Sequence, residues 1–141
     1  MMRDKAANSA FDFIFAQIHP IHNKITEKID KDFFLTDDYL MGYIIGISDT
    51  ALSIFLQREL ETEQDSSDAT YIFGRLLSQL SFANERLDEK YEKRFNDLML
   101  SLDKRKGFVW AAYVDGQKDL LTFSNEGKNN MTLLKYLMLI M

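Results

Sequence analysis

The stretch 39-YLMGYIIGISDTALSIFL-56 carries a single formal charge, Asp49. Its length and composition suit either a membrane span or the buried central helix of a soluble domain. On a helical projection most of the circumference is aliphatic or aromatic, and one arc collects the small and polar residues. These are Gly42, Gly46, Asp49, Thr50 and Ser53. A charge at the bilayer centre would cost about 2.5–3.5 kcal/mol. The pattern therefore predicts a core helix whose narrow polar face meets water or a close neighbour, and no membrane association.

The rest of the chain has the composition of a globular protein. Its 141 residues are 46% hydrophobic and 28% charged, which predicts one domain over 1–141 with a sizeable core. One proline and six glycines favour long helices over an all-β chain with frequent turns. The absence of cysteine excludes disulfides and thiolate chemistry and fits a reducing cytoplasm, and we recognise no export signal.

Apolar residues at spacings of three and four predict helices on both sides of the core helix. The first stripe runs from Ala7 to Phe33 and predicts one helix, kinked near His19 because Pro20 removes a backbone hydrogen bond. Either Asn8 or Ser9 is expected to cap it.

The start of the core helix is predicted by Thr36, a hydroxyl cap, followed by Asp37 and Asp38. We expect this helix to run to about Glu63, and we interpret 61-ETEQDSSD-68 as a polar loop. Ser67 then caps a long third helix that ends at 103-DKRKG-107.

The C-terminal third changes character. The run FVWAAYV, the turn-like DGQKD and the run LLTFS, together 108–124, predict a β-hairpin, with a short helix ending at Gly116 as the alternative. The closing MTLLKYLMLIM is an apolar helix too short to span a bilayer. The predicted fold is thus mainly α, an antiparallel bundle of three to four helices with a small C-terminal hairpin.

Charge and aromatic residues supply the candidate contacts. The net charge of −5 has its acidic excess within 1–70, which opposes nucleic-acid binding and permits a basic protein partner. Five carboxylates without a base follow one another in 59-ELETEQDSSD-68: Glu59, Glu61, Glu63, Asp65 and Asp68. We interpret them as a docking edge, the alternative being a solvated helix end. Trp110 and Tyr113 are the best interface anchors if exposed, and core residues otherwise.

Signals for metal binding or catalysis are weak. His19 and His22 could share a helix face, but Pro20 lies between them and disturbs the geometry, so we predict neither metal nor cofactor. The sequence 46-GISDT-50 begins like a nucleophile elbow, yet Thr50 replaces its last glycine and the segment is helical. We assign no catalytic residue.

By elimination, the sequence predicts a non-catalytic, cytoplasmic protein-binding domain of the inhibitor, immunity or adaptor type that acts on a basic protein. The narrow apolar stripe of the third helix also suggests self-association. The alternative is a small-molecule-binding protein or small enzyme that uses Asp49 and the face of Gly42 and Gly46. That alternative requires a concave pocket with converging polar groups.

Overall fold

The computed structural model describes residues 2–28, 37–80 and 89–141, and within these ranges the chain is mostly helical and contains no strand. The helices are α1 (Met2–Ile18), α2 (His22–Lys28), α3 (Asp38–Leu56), α4 (Glu63–Gln79), α5 (Glu89–Asp103), α6 (Gly107–Glu126) and α7 (Thr132–Ile140). The prediction of a mainly helical protein is confirmed.

Helix α3 is the centre of the core, and α6, α1 and α4 pack around it. From Leu40 to Ser48 every side chain of α3 is buried. By length and composition this helix could also cross a membrane, the one such helix among the described residues, but 67% of the apolar window is buried inside the protein. That degree of burial is what a core helix requires.

Both ends of α3 have a local cause. At its start Asp37 is the N-cap, and its side chain accepts a hydrogen bond from the Leu40 backbone N–H at 2.9 Å. At its end Gln57 adopts a left-handed conformation with φ 58°, which lets its N–H and that of Arg58 reach the last carbonyls. The helix therefore ends at Leu56, seven residues before the predicted Glu63.

The predicted loop 61–68 is in fact largely the start of α4. Thr62 is the N-cap rather than Ser67, and it forms a capping box with Asp65, in which each side chain accepts from the other residue's backbone N–H. The predicted continuous third helix corresponds to α4 and α5, and residues 81–88 between them lie outside the described residues.

The predicted hairpin is wrong, because 108–124 belongs to α6, which passes straight through Gly116. The buried positions of α6 are Val109, Ala112, Gly116, Asp119 and Leu120, a spacing of three and four that is helical. A short apolar run does not by itself distinguish a strand from a buried helix segment, and here the helix prevails.

At the N-terminus the predicted single helix is interrupted near His19 as expected, but by a 3₁₀ turn at His19–Ile21 that divides it into α1 and α2 at Pro20. Helix α1 already begins at Met2, so Asn8 and Ser9 lie within it and neither is its cap. The end of the predicted stripe, with Thr36, lies outside the described residues. The predicted C-terminal helix is confirmed as α7.

Candidate functional site

The two glycines of α3 lie under the backbone of α6. A Cβ at Gly42 would be 2.5 Å from the Val109 carbonyl oxygen, and one at Gly46 would be 2.2 Å from that of Tyr113. Gly116 returns the contact, because its Cβ would lie 2.4 Å from the Tyr43 carbonyl oxygen. The glycines allow two helix backbones to touch, so their face is covered and is not the floor of a pocket.

The same part of the α3–α6 interface contains a closed polar network. The buried Tyr43 hydroxyl donates to Asp119 Oδ2 at 2.9 Å and accepts from Gln17 Nε2 at 3.0 Å. Asn130 donates to the other oxygen of Asp119 at 3.1 Å, and Gln17 Oε1 accepts from the Leu133 backbone N–H at 2.8 Å. Every member has a partner, so the network joins α1, α3, α6 and α7 at little cost in desolvation.

Beyond Gly46 the two helices enclose a cleft of about 940 Å³ together with the end of α5. Its apolar lining is Ile54, Leu60, Met99, Leu102, Trp110 and Leu121, and its polar lining is Asp49, Thr50, Ser53, Gln57, Arg58, Glu59, Asp103, Arg105, Tyr113 and Gln117. Polar residues thus outnumber apolar ones in the lining, whereas small-ligand sites are predominantly apolar.

Asp49 is the partly buried carboxylate of this cleft. Its Oδ2 accepts a hydrogen bond of 2.6 Å from the Tyr113 hydroxyl, which is its one polar contact among the described residues. Burial raises the pKa of Asp49 to about 6, although the hydrogen bond from Tyr113 acts in the opposite direction. At neutral pH Asp49 is therefore a charged carboxylate with a single hydrogen-bond donor, and no cation among the described residues forms an ion pair with it.

Two aromatic rings line the same cleft, and one of them belongs to Tyr113, the donor to Asp49. The rings of Trp110 and Tyr113 are stacked, with centroids 5.5 Å apart and planes 18° apart. The guanidinium carbon of Arg105, in the loop between α5 and α6, lies 5.7 Å from the centroid of the Trp110 ring. A face of the indole is thus already in contact with a guanidinium from the chain itself.

The predicted acidic edge divides into two parts. Asp65 is buried, and Arg58 donates to both its oxygens, at 2.6 and 3.0 Å. This contact, with the backbone N–H groups of Glu61 and Thr62, lowers the pKa of Asp65 well below its usual range. Asp65 is therefore fully engaged inside the chain.

Asp68 is also engaged, since it accepts from Gln64 Nε2 at 2.9 Å and lies 3.6 Å from an Arg3 nitrogen. Glu59, Glu61 and Glu63 remain exposed, although Glu61 lies 3.8 Å from an Arg58 nitrogen, and Glu59 lines the cleft. These three form the acidic rim.

The structure thus brings Asp49, Glu59, Trp110 and Tyr113 to one cleft, although the sequence assigned them to different candidate sites. It separates Asp49 from the glycine face with which the sequence had grouped it. Sequence reasoning missed Arg105, because 103-DKRKG-107 was interpreted only as a helix end.

The two histidines lie at the turn that contains Pro20. The ring centroid of Phe15 is 5.2 Å from that of His19 and 6.2 Å from that of His22. In the part of the chain that the structure describes, no group of three or more His, Asp or Glu side chains is arranged to hold a metal ion.

No family model matches this chain, and no curated protein or solved structure matches it either.

Proposed function

We propose that this chain is a non-catalytic protein-binding domain that recognises a basic protein through the cleft at Asp49 and the acidic rim beside it. We propose with it an inhibitor, immunity or adaptor role in the cytoplasm. The observation that supports it is the meeting of a singly hydrogen-bonded carboxylate, a stacked aromatic pair and exposed glutamates at one concave surface.

The carboxylate and the aromatic pair supply what an interface centre needs. A desolvated carboxylate is costly unless it has a partner, and Asp49 has only a phenol. Partly exposed tryptophan and tyrosine side chains in a pocket are the residue types that dominate binding energy at protein interfaces. A partner side chain in this cleft would contact both.

The acidic rim supplies orientation. Glu59, Glu61 and Glu63 are exposed and close in sequence to the cleft lining, whereas Arg58 on the same segment is held by Asp65. The rim therefore presents a negative surface. Such a surface accelerates the encounter with a basic protein, and the rate falls as salt screens the charges.

The proposal is tested by quantitative capture from native lysate with the tagged chain and two pairs of variant and control. Trp110→Ala should lose a basic, stoichiometric partner, whereas Phe108→Ala, an equally apolar truncation at a position 78% exposed on the same helix, should retain it. Capture of one partner by both variants, or of none by the wild type, would contradict the proposal.

The acidic rim is tested by changing Glu59, Glu61 and Glu63 to glutamine. The control has the same change in charge at exposed positions elsewhere, Glu27→Gln, Asp97→Asn and Glu126→Gln. We expect association with the partner to be slower only for the rim variant. At high salt the difference in association rate between the rim variant and its control should disappear.

A second candidate, a small-molecule-binding protein, is favoured by the size of the cleft, since about 940 Å³ lies within the range of roughly 300–1,000 Å³ typical of small-ligand sites. Thermal stabilisation by a compound that requires Asp49, in a chain that captures no protein, would favour it.

Self-association through α4 and α5 stays a prediction, and light scattering of the purified chain tests it. A monomer at tens of micromolar would contradict it.

A further inference from the structure

We infer that the group which enters the cleft is a guanidinium, namely an arginine side chain of the partner, placed against Asp49 and over the Trp110 ring. This inference rests on the proposed function and deepens it, because it names the chemistry that the cleft recognises.

The carboxylate gives the first argument. Asp49 accepts one hydrogen bond, from Tyr113, and a carboxylate can accept about four. Its remaining lone pairs lie at the wall of a cleft with room for a side chain. A guanidinium offers five N–H donors in a planar fork that matches a carboxylate, so it would satisfy these lone pairs and neutralise the charge together.

The aromatic pair gives the second argument. Arginine stacks on aromatic faces because its guanidinium is planar and weakly hydrated. Arg105 already lies over the Trp110 ring, at 5.7 Å from guanidinium carbon to ring centroid. This contact shows that the ring is accessible to a guanidinium, and Arg105 is exposed in a short loop from which it can be displaced.

The charges around Asp49 give the third argument. The charged groups that line the cleft from each surrounding segment are Arg58 and Glu59 after α3, Asp103 at the end of α5, and Arg105 in the following loop. Arg58 is neutralised by its bidentate contact with Asp65. The lining that remains therefore favours a cation over an anion.

The test uses the full chain and its single tryptophan, which lies in the cleft. The fluorescence of Trp110 is followed during titration with N-acetyl-arginine amide and with N-acetyl-citrulline amide, a neutral molecule of nearly the same shape. We expect saturable binding of the arginine probe and at least tenfold weaker binding of the citrulline probe. Equal responses to the two probes, or no saturable response to the arginine probe, would overturn the inference.

Two variants locate the contact. Asp49→Asn should weaken the affinity for the arginine probe at least tenfold. Asp97→Asn, a change at an exposed position outside the cleft, should leave that affinity unchanged. Arg105→Ala should strengthen binding at least twofold, because it removes a competing guanidinium from the ring and a like charge from the cleft. Unchanged affinity in Asp49→Asn would overturn the inference even if the probe binds.

Acidification gives an independent readout. Protonation of Asp49 removes the charge that the guanidinium requires, so between pH 7.5 and pH 5 the affinity should fall about tenfold for a group with a pKa of about 6. The Asp49→Asn variant should show no such fall. A wild type whose affinity is the same at both pH values would contradict the contact with Asp49.

The inference and the proposed function can fail separately. Suppose that a protein is captured only when Trp110 is present, but that the arginine probe gives no response. This result would overturn the inference that a guanidinium enters the cleft and would leave the protein-binding role standing. Specific binding of the probe, with no captured protein, would support the guanidinium site and contradict the protein-binding role.

Discussion

The α3–α6 interface has a closed half, where the two backbones touch, and an open half, which forms the cleft. Tyrosine–aspartate hydrogen bonds cross both halves: Tyr43 to Asp119 and Tyr39 to Asp115 in the closed half, and Tyr113 to Asp49 in the open half. In the closed half Tyr43 donates to Asp119, and Gln17 and Asn130 complete the network. In the open half Tyr113 donates to Asp49, and no other polar group among the described residues contacts that carboxylate. The Tyr43–Asp119 contact is thus structural, because its hydrogen bonding is complete, whereas Asp49 lies at the cleft with lone pairs available for binding.

Three glycines produce the closed half of the interface. Gly42, Gly46 and Gly116 remove the side chains that would hold the two backbones apart. Beyond Gly46 no further glycine follows on α3, the helices are separated by larger side chains, and the cleft opens. A short, close helix contact therefore sets the position at which the binding surface begins.

The largest expected effect comes from breaking this close contact. Gly46→Ala would place a Cβ 2.2 Å from the Tyr113 carbonyl oxygen, a backbone atom that cannot move without moving α6. We expect a loss of about 3 kcal/mol or more in the free energy of unfolding, measured by chemical denaturation.

Gly127→Ala is the control for that change. Its Cβ meets nothing within 4 Å, and only its left-handed backbone, φ 70°, is strained. We expect a loss of about 1 kcal/mol. Equal losses in the two variants would contradict the importance of the close approach.

A second pair of variants removes one hydroxyl from each half. Tyr43→Phe leaves a buried oxygen of Asp119 and the Gln17 amide without a partner, and we expect a loss of about 2–3 kcal/mol. Tyr113→Phe should cost less than about 1 kcal/mol, because water in the cleft can replace the hydroxyl at Asp49. Denaturation curves for both variants test the difference, and a larger loss for Tyr113→Phe would reverse our assignment of the two halves.

A third effect concerns Asp49, because burying its charge in the open half of the interface lowers the stability of the fold. The folded-state pKa of Asp49, about 6, lies above its ordinary value of 3.8, so between these values the folded chain binds more protons and stability falls as pH rises. Above pH 6 Asp49 is ionised in the folded chain, so the full cost of burying its charge is subtracted from the free energy of unfolding. Asp49→Asn should therefore raise the free energy of unfolding at pH 7.5 by about 1–2 kcal/mol.

At pH 4 the Asp49→Asn variant and the wild type should be nearly equal in stability, because the carboxyl is largely protonated in the folded wild type. Denaturation at both pH values tests this. A variant less stable than the wild type at pH 7.5 would show that the charge stabilises the fold.

The smallest expected effect is at the acidic rim. Replacing Glu59, Glu61 and Glu63 with glutamine should change the free energy of unfolding by no more than about 0.5 kcal/mol, because all three are exposed and their charges are solvated. Thermal denaturation tests this. A large loss would mean that the rim is a structural element and not a docking surface.

Local patterns predicted much of the helical framework. The apolar stretch after Asp37 predicted the core helix, and Pro20 predicted the interruption near His19, because both depend on residues within a few turns of each other. The end of α3 at Leu56 was missed because Gln57, not a glycine, adopts the left-handed conformation there. The hairpin was predicted wrongly because Gly116, which permits the approach of α3, was interpreted as part of a turn.

The cleft could be predicted only in pieces. Asp49, Trp110 and Tyr113 were each identified from the sequence, yet their meeting depends on how α3 crosses α6, which no local pattern encodes. The engagement of Asp65 by Arg58 was missed for a related reason: the ion pair requires the turn at Gln57, which the sequence did not indicate.

The most direct test of the contrast between the two halves is an NMR titration of the ¹⁵N-labelled chain with N-acetyl-arginine amide. Our account predicts saturable shifts in the amides around Asp49, Tyr113 and Arg105, and none around Tyr43 and Asp119 in the closed half. Shifts centred on the closed half, or small shifts scattered over the whole surface, would contradict the assignment of binding to the open half.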